Sequence, residues 1–186
     1  MNIPNSLTLI RIILIPVFIV VFYLNFRWAH QLAAAIFALA AITDLLDGYF
    51  ARKLGQISKL GAFLDPVADK LMVAVVLVLL VQNHPTVWLT LPAAVIVGRE
   101  ITVSALREWM AEIGARRKVA VSFLGKFKTV AQMVALIMLI YRENIQGLPI
   151  YTIGMVLLYI AAILTLCSMV QYIMLAWPDL SDRKNR

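Results

Sequence analysis

Residues 7–177 form a succession of long apolar runs broken only by short polar turns, and no soluble core of this size has room for so much apolar chain. A helix needs about 20 such residues to cross the hydrocarbon of a bilayer. Six crossings therefore use roughly 120 residues of the 186 and leave loops too short for a second folding unit. Composition agrees, because 62% of the residues are hydrophobic, where soluble domains hold roughly 45–50%. The expected architecture is an all-α integral membrane protein, a single domain over residues 1–186. Its six transmembrane helices are expected near 7–26, 30–53, 60–82, 87–110, 125–141 and 149–177.

Local signals refine this outline. Asn5 or Ser6, just after Pro4, is the expected N-cap of the first span. Arg11 followed by the apolar residues 12–24 resembles a signal peptide, but no small-x-small cleavage site follows within 25–31, so a retained span is expected. Arg11 itself lies about two turns in, where it either snorkels to the interface or points into a polar site. The second span carries Ala33, Ala34, Ala35, Ala38, Ala40 and Ala41, a run of small residues that suits close helix packing. The single cysteine, Cys167, rules out an internal disulfide framework and a Cys-based metal site; within its apolar run it is expected to be a packing residue.

The chain has 17 Lys and Arg against 10 acidic residues, a balance that also suits nucleic-acid binders. Here, however, the basic residues stand at the ends of apolar runs, which marks a membrane edge, and no nucleic-acid partner is expected. All of them except Arg27, Lys70, Arg99 and Arg142 fall at one edge. The positive-inside rule places that edge, and both termini, in the cytoplasm. Arg116, Arg117 and Lys118 read as contacts to anionic membrane lipids.

Against this background stands one polar stretch, DLLDGYFARKLGQISKLGAFLDPVAD, at residues 44–69. It holds Asp44 and Asp47 at the end of the second span and Asp65 and Asp69 at the start of the third, so a tight hairpin brings both pairs to the same membrane face. Spacings of three and four put each pair on one side of its helix. Four carboxylates so placed raise one another's pKa unless a cation intervenes. One solution is ion pairing with Arg52, Lys53, Lys59 and Lys70. The other is one or two divalent ions, and oxygen-only ligation without His or Cys favours Mg²⁺ or Mn²⁺. A two-ion site suits in-line displacement at phosphorus. Gly48 and Gly61 would let a phosphate or nucleotide approach the helix backbone, and Arg52 offers a fork for phosphate oxygens.

Asp44, Asp47, Gly48, Ala51, Arg52, Gly61, Asp65 and Asp69, with eight residues between Arg52 and Gly61, resemble in full the signature of the CDP-alcohol phosphotransferase family. The flanking residues 4–8, 98–101, 106–109 and 125–129 are similar to the bacterial branch that transfers a phosphatidyl group to glycerol 3-phosphate. The resemblance implies six membrane helices, a homodimer in the bacterial inner membrane, and a reaction of CDP-diacylglycerol with sn-glycerol 3-phosphate that yields phosphatidylglycerophosphate and CMP. It also implies that Asp44, Asp47, Asp65 and Asp69 hold the metal ions and that Asp69 is the candidate general base. Gly48, Ala51, Arg52 and Gly61 would line the CDP pocket.

The acceptor side is read from charge and depth. A dianion arriving from the cytoplasm needs cations facing the same cavity, and Arg107, Lys126 and Lys128 stand at that level with Arg99 deeper. Gly98-Arg99-Glu100 places a cation and an acid inside a span, where they face a polar cavity or each other. Two other readings stay open at this stage. One keeps the family chemistry with a different acceptor alcohol, such as serine, inositol phosphate or a phospholipid. The second is an ion-coupled carrier whose acids form the pathway.

Overall fold

The computed structural model describes residues 3–54, 59–113 and 123–181, and within these the side chains at 3–5, 45, 47–54, 59–60, 62–63, 123–126 and 178–181 lie outside the description. The described residues form six helices: α1 (Ile3–Tyr23), α2 (Ala29–Leu54), α3 (Lys59–Asn83), α4 (Val87–Glu112), α5 (Phe123–Tyr141) and α6 (Ile150–Ser181). Each expected span has a helix. The expected N-cap is corrected: Asn5 and Ser6 lie inside α1, which starts at Ile3. Pro4 explains this, since its fixed φ suits a first turn in which the missing N–H would have had no helical partner.

Stretches Ser6–Tyr23, Val87–Glu112 and Ile150–Trp177 are long and apolar enough to cross a membrane, and Ala29–Asp44 and Phe127–Tyr141 are shorter apolar helices. The outward positions are apolar as well, including Ile13, Val20, Val78, Leu91, Ile163 and Met174. A helix bundle that is apolar outside as well as inside is solvated by lipid, and the chain is a membrane protein. Cys167 corrects an expectation here, for it is exposed on the outside of α6 and is not a packing residue of the core. In lipid the outer face is as apolar as the inner one, so an apolar neighbourhood in sequence does not place a residue inside.

Helix contacts are most extensive between α5 and α6, followed by α1 with α2 and α4 with α6. Gly154 permits the first: a Cβ there would lie 3.0 Å from Met138 Cβ and 3.3 Å from the Ala135 carbonyl oxygen. Ala33, Ala34 and Ala40 are buried on α2, as is Phe37, whose ring lies 6.4 Å from that of Phe18 on α1. These three of the six alanines thus do what their size suggests, while Ala35 is exposed and Ala38 and Ala41 are half-buried.

One pattern runs through five of the helices. The buried stripe of α1 reads Phe22, Phe18, Ile15, Arg11, Thr8, and that of α2 reads Ala33, Phe37, Ala40, Thr43. On α4 it reads Leu89, Ile96, Arg99; on α5 Leu139, Ala135, Gln132, Lys128; on α6 Leu158, Ala161, Thr165, Ser168. Each stripe keeps helical spacing, and each turns from apolar to polar towards one end. Hydrogen bonds from Thr8 to Asp65 and from Tyr23 to Gln82 show that α1 and α3 run parallel, and the Arg99–Ser168 and Trp88–Tyr159 pairs show the same for α4 and α6. The polar ends of the stripes therefore meet at a single end of the bundle.

Candidate active site

Asp44 continues the buried stripe of α2 one turn past Ala40, and its Oδ1 lies 3.0 Å from Nη1 of Arg11. The Arg11 side chain is only 1% exposed while that of Asp44 is 38% exposed, so the pair is rooted in the core and opens outward. Of the two expectations for Arg11, the inward one holds. Asp65, early in α3, accepts a hydrogen bond from the Thr8 hydroxyl. One turn on, Asp69 shares a small cavity with Arg11, Phe37, Ala40 and Met72, close enough to Asp44 for their charges to oppose each other. Asp44 late in α2 and Asp65 and Asp69 early in α3 thus stand at one end of the bundle, and two side chains of α1, which packs on both helices, hold the first two.

Opposite these carboxylates is a cluster of cations. Arg99 Nη1 lies 2.6 Å from Glu100 Oε1, and its Nη2 donates to Ser168 Oγ at 2.8 Å. Its guanidinium sits 5.9 Å from the centre of the Tyr172 ring, a cation–π distance. Lys128 Nζ, buried on α5, lies 3.6 Å from the same Glu100 oxygen. Lys70 donates to the hydroxyl of Ser104 on α4. Asp69, Lys70, Arg99, Glu100, Arg107 and Lys128 together line a polar cavity of about 170 Å³. An apolar groove of about 980 Å³ between α3 and α4 is lined partly by the same Lys70, Val73, Glu100 and Arg107. A charged chamber therefore adjoins a long apolar slot.

Three of the four expected acceptor cations, Arg99, Arg107 and Lys128, line this cavity. Gly61 is buried at the start of α3. The side chains of Asp47, Gly48, Ala51, Arg52 and Lys126 lie outside the described residues, as do Arg116, Arg117 and Lys118. Among the described residues no three acidic, His or Cys side chains converge on a single point. The donor chemistry still fits Mg²⁺ or Mn²⁺, since Asp44, Asp65 and Asp69 offer only hard oxygens.

Site residues that sequence reasoning left out are Thr8, Gln132, Ser168 and Tyr172. Their one available signal is phase, since each continues the inward stripe of its helix.

Together these features define a class: an all-helical membrane protein with a charged chamber at one end of the bundle, lined by Asp69 and Glu100 and by the cations Lys70, Arg99, Arg107 and Lys128. The sequence model of CDP-alcohol phosphatidyltransferases matches residues 1–173, and the chain belongs to that family. It is 55% identical over 182 residues to the CDP-diacylglycerol–glycerol-3-phosphate 3-phosphatidyltransferase of Salmonella typhimurium (strain LT2), covering 98% of both chains. To the enzyme of the same name from Escherichia coli (strain K12) it is 53% identical over the same length, with the same coverage.

Proposed function

We propose that the chain transfers the phosphatidyl group of CDP-diacylglycerol to sn-glycerol 3-phosphate, releasing CMP. The observation that carries this reading is the single cavity on which Asp69 and the cations Arg99, Arg107 and Lys128 converge, beside an apolar groove. A substrate with a diphosphate head and two acyl chains needs an apolar slot that opens onto a charged chamber, and a phosphorylated acceptor needs cations across from the reacting carboxylates.

In this reading Asp44, Asp47, Asp65 and Asp69 hold one or two Mg²⁺ or Mn²⁺ ions, and Gly48, Ala51, Arg52 and Gly61 line the CDP pocket. Such ions, when bound, neutralise the diphosphate and stabilise the attacking and leaving oxygens of an in-line displacement. Thr8 and Arg11 hold Asp65 and Asp44 in place from α1. Arg99, kept rigid by Glu100, Ser168 and Tyr172, binds the acceptor phosphate together with Lys128, Arg107 and Lys126, and so aims the primary hydroxyl at the phosphorus that carries diacylglycerol. Asp69 takes the hydroxyl proton as the new O–P bond forms. The bond from that phosphorus to the bridging oxygen breaks, and CMP leaves with the electron pair. The polar end of the bundle faces the cytoplasm, six helices cross the inner membrane, and two chains form a homodimer.

The test is CMP release by purified protein with CDP-diacylglycerol and Mn²⁺ or Mg²⁺, comparing glycerol 3-phosphate with serine and inositol phosphate. Rapid release with glycerol 3-phosphate alone is expected, together with its collapse in Asp69→Asn. Preference for another acceptor would move the chain to another branch of the family, and full activity in Asp69→Asn would remove Asp69 as the base.

A further inference from the structure

The end of the bundle opposite the aspartates holds a second arrangement that the reaction does not use. Two turns meet there, the α3–α4 turn at 84–86 and the α5–α6 turn at 142–149. The second is tightly built: Gln146 and Gly147 have φ of 50° and 84°, the pattern of a type I′ turn, closed by the Leu148 N–H donating to the Ile145 carbonyl at 2.9 Å. Arg142 takes a left-handed conformation, φ 63°, as its N–H caps α5 on the Met138 carbonyl. An arginine seldom adopts this conformation, and here it turns the side chain in towards the α3–α4 turn.

Its guanidinium is only partly satisfied there. Nη1 reaches Asn83 Oδ1 at a long 3.4 Å, while Nε and Nη2 are buried and have no hydrogen-bond partner among the described residues. The neighbouring His84 packs edge-on against the Tyr151 ring at 5.6 Å. Burial, with the neighbouring Arg142 and His30, lowers the pKa of its imidazole from the ordinary histidine value. Glu143, the acid next in sequence, is exposed. Between the two turns opens a pocket of about 500 Å³ lined by His84, Thr86, Trp88, Arg142, Tyr151 and Met155. Trp88, 74% exposed, stands at the start of α4, where an indole marks the edge of a bilayer. Met155 lies one turn beyond Tyr151 on α6 and extends the apolar wall towards the middle of the bundle.

We propose that this pocket binds the phosphodiester headgroup of a phospholipid in the leaflet opposite the active site, with Arg142 as its anchor. Two unmet guanidinium donors fit two oxygens of a phosphate, and Tyr151 and Thr86 add hydroxyls at the same level. Trp88 and Met155 supply the wall along which an acyl chain leaves the headgroup, which a free anion would not use. The site is separate from the transfer chemistry and stands whether or not the acceptor is glycerol 3-phosphate.

The test uses full-length protein in detergent in which Trp28, Trp109 and Trp177 are replaced by Phe, leaving Trp88 as the reporter. Its fluorescence is titrated with a phospholipid brominated on its acyl chains and with the matching brominated diacylglycerol. The phospholipid is expected to quench Trp88 saturably, and Arg142→Gln to raise the midpoint about tenfold, with Arg142→Lys in between. Millimolar inorganic phosphate is expected to leave the quenching in place; if it abolished it, the pocket would be a soluble-anion site and the proposal would be overturned. Equal midpoints for diacylglycerol and phospholipid on the unsubstituted anchor would also overturn it, and that comparison does not depend on how Arg142→Gln folds. An unchanged midpoint in a folded Arg142→Gln protein would do the same.

Discussion

Glu100 is the hinge of the cation cluster, and removing its charge separates a structural role from a binding role. Its Oε1 is shared by Arg99 Nη1 at 2.6 Å and Lys128 Nζ at 3.6 Å, so the two cationic nitrogens lie within about 6 Å of each other. Their side chains are 6% and 7% exposed, whereas that of Glu100 is 26% exposed. Breaking a buried ion pair from one side costs about 3–5 kcal/mol. Partial exposure of Glu100, and the carbonyl that glutamine keeps in its place, bring the expected loss in Glu100→Gln to roughly 2–3 kcal/mol. In a chain of this length that lowers the melting temperature by about 5–10 °C. The lost carboxylate is also what competes with an incoming phosphate for the same two cations. A gain of about 1.4 kcal/mol in acceptor binding would tighten glycerol 3-phosphate affinity about tenfold. Thermal melts in detergent, with and without glycerol 3-phosphate, read both quantities: a less stable free protein and a larger ligand-induced rise are expected together. An unchanged melting temperature, or an affinity that falls with stability, would refute the shared role of Glu100.

Three further substitutions test separate parts of the site and its frame. Thr8→Val keeps shape but removes the donor to Asp65, a hydrogen bond to a charged group worth about 1.5 kcal/mol here, and should weaken Mn²⁺ binding about tenfold by calorimetry with helix content intact; unchanged affinity would detach Asp65 from the metal. Ser168→Ala takes an acceptor from Arg99 Nη2, and should raise the KM for glycerol 3-phosphate about tenfold while kcat changes less than about threefold. An equal fall in kcat with no rise in KM would place Arg99 elsewhere in the reaction. Gly154→Val drives a branched side chain against Met138 and the Ala135 carbonyl, and should cost about 2–3 kcal/mol in thermal stability as α5 and α6 separate; a neutral result would mean that this helix pair has slack.

The grouping of Asp44 with Asp65 and Asp69 at one end of the bundle was legible in the sequence, because each aspartate stands within a few turns of the end of an apolar run. Legibility failed where a residue's role depends on the rotation of one helix against another. Arg11 two turns into α1 had two readings, and only the packing of Phe18 on Phe37 turns its stripe inward onto Asp44. Ser168 and Tyr172 sit in a helix that is apolar almost all round, so helical phase alone distinguishes the Arg99-facing side from the side that carries Cys167. Glu100 was visible as an intramembrane acid next to Arg99, but its bridge to Lys128 joins α4 to α5 and has no local signal. The start of α1 lies before the capping candidates Asn5 and Ser6 because Pro4 enters a first turn readily and carries the helix back to Ile3.

The most direct measurement is a structure of the protein with CDP-diacylglycerol and Mn²⁺. Anomalous density for manganese among Asp44, Asp47, Asp65 and Asp69, with the diphosphate beside it and the acyl chains leading away from the Asp69–Arg99 cavity, is the expected result. A diphosphate bound away from residues 44–69 would contradict the assignment of the aspartate hairpin as the reaction centre.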